Sequence, residues 1–85
     1  MPRYLIERTF PQRLELVVDD VVAHNADDGV TWLHSYVSDD GTKTFDVYEA
    51  PNPEAIRRTA ARNRLPIDGI TEVRVLEPFA YEGGT

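Results

Sequence analysis

Apolar and polar positions follow two spacings along this chain, and the changes from one to the other predict six elements. From Tyr4 to Phe10 the spacing is two, with Tyr4 and Ile6 on one side and Leu5 and Glu7 on the other, which predicts a first strand. From Leu14 the apolar residues stand at Leu14, Val17, Val18, Val21 and Val22, the i, i+3, i+4, i+7, i+8 stripe of an amphipathic helix that Asn25 to Gly29 closes. Pro11 suits its first turn. Valine is a weak helix former, so this helix is expected to depend on packing against a sheet.

Two runs rich in β-branched and aromatic residues follow, Val30 to Val37 and Thr42 to Ala50, joined by Ser38-Asp39-Asp40-Gly41. They predict a hairpin. A three-residue loop, Asp39-Asp40-Gly41, fits a type I turn followed by a left-handed glycine. Ser38 then faces Thr42, which sets His34 opposite Asp46, Trp32 opposite Tyr48 and Leu33 opposite Val47. One face would carry Leu33, Ser35, Val37, Phe45 and Val47 as core, and the other Trp32, His34, Tyr36, Asp46 and Tyr48. A loop of two or four residues would shift the pairing by one and move His34 to the side of Phe45 and Val47.

Asn52-Pro53-Glu54 reads as a helix start, with Asn52 as N-cap, Pro53 at the first helical position and Glu54 near the positive end of the dipole. The helix is expected to reach about Arg64, turning Ile56, Thr59, Ala60 and Asn63 inward. Leu65-Pro66 ends it, and Ile70 to Leu76 forms a last strand. The order βαββαβ predicts an α+β, ferredoxin-like sandwich, an antiparallel sheet with two helices on one face. Residues 1–85 are expected to form a single domain, with 82–85 frayed.

Length and composition narrow the function classes. Eighty-five residues suffice for one domain with a small core that a partner subunit would help to bury. With 41% hydrophobic and 28% charged residues the chain is not of the disordered type. It has no cysteine, so a disulfide framework and a thiolate nucleophile are excluded, and any metal must be held by oxygen and imidazole. The opening Met1-Pro2-Arg3-Tyr4 lacks the apolar stretch of a signal peptide and no run is long enough to span a bilayer, so a cytoplasmic, membrane-free protein is expected. A net charge of -6 disfavours nucleic acid and favours cations. Arg57, Arg58, Arg62 and Arg64 on the second helix are better matched to the chain's own acids or to a neighbouring subunit. Lys43-Thr44-Phe45-Asp46-Val47-Tyr48 also departs from the base-stacking pattern of RNA-recognition modules.

The uncovered sheet face holds the candidate chemistry. An imidazole facing a carboxylate across a strand pair, with Cβ atoms roughly 5 Å apart, can chelate a borderline divalent cation. His34 and Asp46 are that pair, with Glu7 and Tyr36 as further ligands. The same residues also read as a dimer interface, with Trp32, Tyr36 and Tyr48 buried and His34 hydrogen-bonded to Asp46. A third reading is a small-molecule pocket or cofactor-free active site walled by the aromatic residues. A second cluster, Asp20, His24 and Asp28, has the i, i+4 spacing of helix neighbours. Ser35 and His34 point to opposite faces, so no serine nucleophile is assigned, and no residue is assigned as catalytic.

The stretch from Thr31-Trp32-Leu33-His34-Ser35-Tyr36-Val37 to Gly41, with Tyr48-Glu49-Ala50-Pro51 and Pro53-Glu54-Ala55-Ile56, resembles a family of small, mostly uncharacterised bacterial ferredoxin-like proteins that includes a nickel-binding member. Tyr4-Leu5-Ile6-Glu7-Arg8-Thr9-Phe10, Leu65-Pro66 and Ile70-Thr71-Glu72-Val73 extend the resemblance over nearly the whole chain. It implies a homodimer with surface nickel sites, a role in metal sequestration, and His34 as the histidine of the His-Ser-Tyr motif. Relatives often carry cysteine where this chain has Asp46. A carboxylate in place of a thiolate weakens nickel or copper(I) binding relative to harder ions.

Overall fold

Strand β1 (Arg3–Thr9) occupies the middle of a four-stranded antiparallel sheet, between β3 (Lys43–Glu49) and β4 (Gly69–Val73). β2 (Thr31–Val37) pairs with the outer side of β3, giving the order β2-β3-β1-β4. Helices α1 (Val18–Asp27) and α2 (Pro53–Asn63) complete the βαββαβ series, and a 3-10 turn follows at Pro78–Tyr81. This is the ferredoxin-like α+β architecture expected from the periodicity. The computed structural model describes residues 1–15 and 18–81, so Val17 of the predicted stripe and the expected fraying of 82–85 lie outside the described residues.

Alternation along β1 buries Tyr4, Ile6 and Arg8, and along β3 it buries Thr44, Asp46 and Tyr48. Tyr4, Ile6 and Tyr48 join Val30, Ala50 and the α2 residues Ala55 and Ile56 in one core, with Trp32, Ile67 and Ile70 packed at its edge. That face is the helix side. Leu5, Phe45 and Val47 point to the other, helix-free side, where each is only half-buried.

α2 forms as its sequence predicts. The Asn52 side chain accepts a hydrogen bond from the Ala55 amide at 2.9 Å, Pro53 sits in the first turn, and Arg64 ends the helix in the left-handed region at φ 56°. Ala55, Ile56, Thr59 and Ala60 are buried, and Asn63 is half-buried beside them.

α1 departs from expectation in start and rotation. The Phe10 amide donates to the Thr42 carbonyl at 2.7 Å and the Leu14 amide to the Gly41 carbonyl at 2.9 Å. The segment carrying Leu14 is thus tied to the β2–β3 loop and the helix begins at Val18. Its buried residues are Val21 and Asn25, while Val18 and Val22 are about half exposed at 51% and 49%. The rotation follows from Asn25, whose side-chain oxygen accepts from the Thr59 hydroxyl at 2.7 Å and whose carbonyl accepts from the Val30 amide at 2.8 Å. A polar anchor to α2 and Val21 of the predicted stripe orient this helix. β4 is also shorter than predicted: β1 begins at Arg3, which pairs with Val73, so Val75 and Leu76 have no strand beside them and are exposed.

Candidate functional site

The β2–β3 loop decides which side chains meet. The Ser38 amide donates to the Lys43 carbonyl at 2.9 Å and the Gly41 amide to the Ser38 carbonyl at 2.8 Å, so the loop has four residues, Asp39 to Thr42. Gly41 takes the left-handed conformation at φ 74°, as the turn chemistry predicts. The extra loop residue is Thr42. Its hydroxyl and amide donate to Asp40 Oδ1 at 2.7 and 3.0 Å, and the Ser38 hydroxyl donates to the same atom at 2.8 Å. These bonds, the Thr42 hydroxyl's first, hold the Asp40 carboxyl down at about 2 from an ordinary 3.8.

A four-residue loop shifts the register by one. His34 lies opposite Val47, Ser35 opposite Asp46 and Tyr36 opposite Phe45, whereas Trp32 still faces Tyr48 because the ladder is irregular between Trp32 and His34. Leu33 is the extra residue there, and as a β-bulge it absorbs the shift. The predicted pairing of His34 with Asp46 is therefore corrected, and so are the faces. Trp32, Asp46 and Tyr48 lie on the helix side, together with Ser35, whose hydroxyl bonds Asp46. Phe45 and Val47 lie on the helix-free side with His34 and Tyr36.

Of the four predicted metal ligands, Glu7, His34 and Tyr36 share the helix-free face and are exposed. The rings of His34 and Tyr36 meet edge to face with centroids 5.4 Å apart. Glu7 lies opposite Phe45 on the neighbouring strand, so β3 stands between it and Tyr36, a separation of about 10 Å at the usual strand spacing. Among the described residues no three His, Cys, Asp or Glu side chains cluster so as to hold a metal ion. A single chain offers one imidazole on this face and does not close a coordination sphere. The second predicted cluster is also dispersed. His24 Nδ1 is 2.6 Å from Asn63 Oδ1, and Asp28 faces Arg58 and Arg62 of α2 at 3.5 and 3.4 Å. Those arginines do pair with the chain's own acid.

Asp46, the fourth predicted ligand, belongs to a buried network on the other side of the sheet. Its Oδ2 forms an ion pair with the Arg8 guanidinium, and its Oδ1 accepts from the Ser35 hydroxyl at 2.5 Å. Trp32 Nε1 donates to the Ser35 oxygen at 2.7 Å, and the Arg8 guanidinium stands 5.6 Å from the Tyr48 ring centroid. Arg8 is 2% exposed and Asp46 6%. Arg8 is not among the candidates that the sequence offers, although a signal for it exists: it continues the inward series Tyr4, Ile6, Arg8, and a buried guanidinium needs a buried acid. Above this network, between the sheet and α1, a pocket of about 300 Å³ opens against Trp32, Val21 and Leu65.

Residues 4–73 match the family model described as nickel responsive protein SCO4226-like. The chain belongs to that family. Among solved structures it is similar to the crystal structure of SCO4226 from Streptomyces coelicolor A3(2), with a TM-score of 0.69 and 15% identity over 88% of this chain and 99% of that one. At that identity the likeness speaks for the fold. No curated protein matches the chain. The match to the SCO4226-like family runs from β1 to the end of β4, so it takes in both the helix-free face with His34 and the buried Arg8–Asp46 network. No helix among the described residues is long and apolar enough to cross a membrane.

Proposed function

We propose that this SCO4226-like protein binds divalent cations of the nickel type in the cytoplasm as a homodimer, sequestering the metal, with His34 as the ligand that each copy contributes. The observation that carries the reading is the exposed imidazole of His34 on a sheet face that no helix covers, in a chain whose family is described as nickel responsive. Nickel is cargo here, not a resident cofactor. Because one chain supplies too few ligands, a two-fold axis through the helix-free face would present the same patch twice, doubling His34 and adding Glu7 and Tyr36 from either side. The half-buried Leu5, Phe45 and Val47 give that face an apolar centre for a second copy to cover. Asp46, engaged with Arg8 on the opposite side, is left out of the set.

An imidazole and oxygen ligand set with no thiolate follows the ordinary order of divalent ions, so nickel is expected to bind more tightly than cobalt, and cobalt more tightly than manganese. Only neutral imidazole ligates, so affinity weakens as the solution is acidified. Calorimetric titration of wild type and His34→Ala with nickel chloride is the deciding measurement. Saturable heat in the wild type and at least a tenfold weaker affinity in the variant are expected; equal heats from both proteins would remove His34 from the site.

A further inference from the structure

The helix side of the sheet holds a pocket that the sheet itself separates from His34. The core packs tightly where α2 meets β1 and β3, but α1 is turned so that its buried contacts run through Val21 and Asn25. The pocket of about 300 Å³ lies between α1 and the sheet, at the lower end of the range for sites that take small organic molecules. Its walls are apolar and partly aromatic: Phe10, Leu14, Val18, Val21, Trp32 and Leu65. Its floor is the sheet, where Arg8, Ser35, Thr44 and Asp46 line it.

The floor sets the chemistry of the ligand. Arg8 and Asp46 neutralise each other, so the floor has no net charge to compensate the desolvation of a charged ligand. The floor is nonetheless short of acceptors. Arg8 Nε, which can only donate, and Thr44 Oγ1 are both buried and, among the described residues, without a hydrogen-bond partner. Buried polar groups left unpaired are uncommon in folded proteins and call for an explanation. We infer that this pocket binds a small neutral molecule with a one- or two-ring apolar body and a single carbonyl-type oxygen, the body against Trp32, Phe10 and Val21 and the oxygen toward Arg8 and Thr44.

The bicyclic ketone 1-indanone and its parent hydrocarbon indane are suitable probes, since they share a body and differ in the oxygen. The chain has a single tryptophan, so the Trp32 indole N–H gives one unambiguous signal in a 15N-labelled sample. Titration with 1-indanone is expected to shift that signal saturably, with a Kd on the order of 1 mM or tighter for so small a ligand. Indane is expected to bind at least fivefold more weakly. Val18→Phe, at a half-exposed rim position where folding is not at stake, and Val21→Phe, in the wall, should each weaken 1-indanone at least tenfold by filling the pocket. Thr44→Val should narrow the gap between the two probes. An unmoved Trp32 signal up to the solubility limit, or a folded Val18→Phe variant that binds as the wild type does, would overturn the site. Equal affinity for ketone and hydrocarbon would overturn the assigned carbonyl. His34→Ala should leave all these titrations unchanged, so the two sites fail or stand separately.

Discussion

Two aspartates six residues apart, Asp40 and Asp46, show how much one side chain decides. Asp40 sits in the loop, and by accepting from both the hydroxyl and the amide of Thr42 it lifts that residue out of the ladder and shifts the strands by one. The Asp-Asp-Gly signal gave the turn and the left-handed Gly41 correctly. It could not distinguish a loop of three from one of four, because both place a glycine at the same point. Since the Asp40 carboxyl is lowered to about 2 from 3.8, its stabilisation is fully present above 3.8 and is lost as pH falls through about 2. Unfolding of wild type and Asp40→Ala, followed from neutral pH downward, should therefore show a stability difference that shrinks across that window. Asp46 is a different case: it is buried against Arg8. Asp46→Leu leaves an uncompensated guanidinium and is expected to cost about 3–5 kcal/mol, whereas adding Arg8→Met should recover most of the loss. Urea unfolding of the single and double variants checks this, and a double variant no more stable than the single would mean that the ion pair is not the source.

At the scale of elements, the two helices differ in how far sequence could describe them. α2 was legible because its signals are local: an Asn-Pro pair at one end, a break at Leu65-Pro66 at the other, and small residues on one face. Removing the cap with Asn52→Ala should cost about 1 kcal/mol, read from chemical denaturation. α1 is only partly described by its apolar stripe: Val21 is buried as the stripe predicts, whereas Val18 and Val22 are half exposed and Asn25 takes the second buried position. A stripe reports which residues could be buried, while the rotation here is set by Asn25 bonding Thr59 across 34 positions in the chain. That partner is invisible to a local window. The corrected rotation has a consequence that the stripe would forbid: Val22→Lys, at a half-exposed position, should change stability by no more than about 0.5 kcal/mol. Val21→Lys, one residue earlier and buried, should cost several times that or abolish cooperative unfolding. Equal effects in thermal melts would restore the original stripe.

Taken as a whole, the molecule is a sheet with two unlike faces, and the βαββαβ order that produces them was readable because it depends only on where the spacing changes. The contents of the faces were half legible, since a shift of one residue moves every alternating side chain together. His34 and Tyr36 stayed on the helix-free face, Asp46 and Tyr48 left it with the shifted register, and Trp32 left it through the irregularity at Leu33. Of the predicted ligands, His34, Tyr36 and Glu7 remain on that face around the half-buried Phe45, and the same alternation places Glu49, Arg3 and Lys43 on it, in a chain of net charge -6. Phe45 lies between Tyr36 and Glu7 in the ladder, so a charge there should prevent two copies from meeting without touching His34. If the cation is shared, Phe45→Glu should run as a monomer by size-exclusion chromatography with light scattering. It should also bind nickel at least tenfold more weakly, because half the ligands leave with the partner. His34→Ala should lose nickel and stay dimeric. A monomeric Phe45→Glu protein with wild-type nickel affinity would place the whole ligand set within one chain, and the distance between Glu7 and His34 would then have to close by rearrangement of the sheet face instead of by dimerisation.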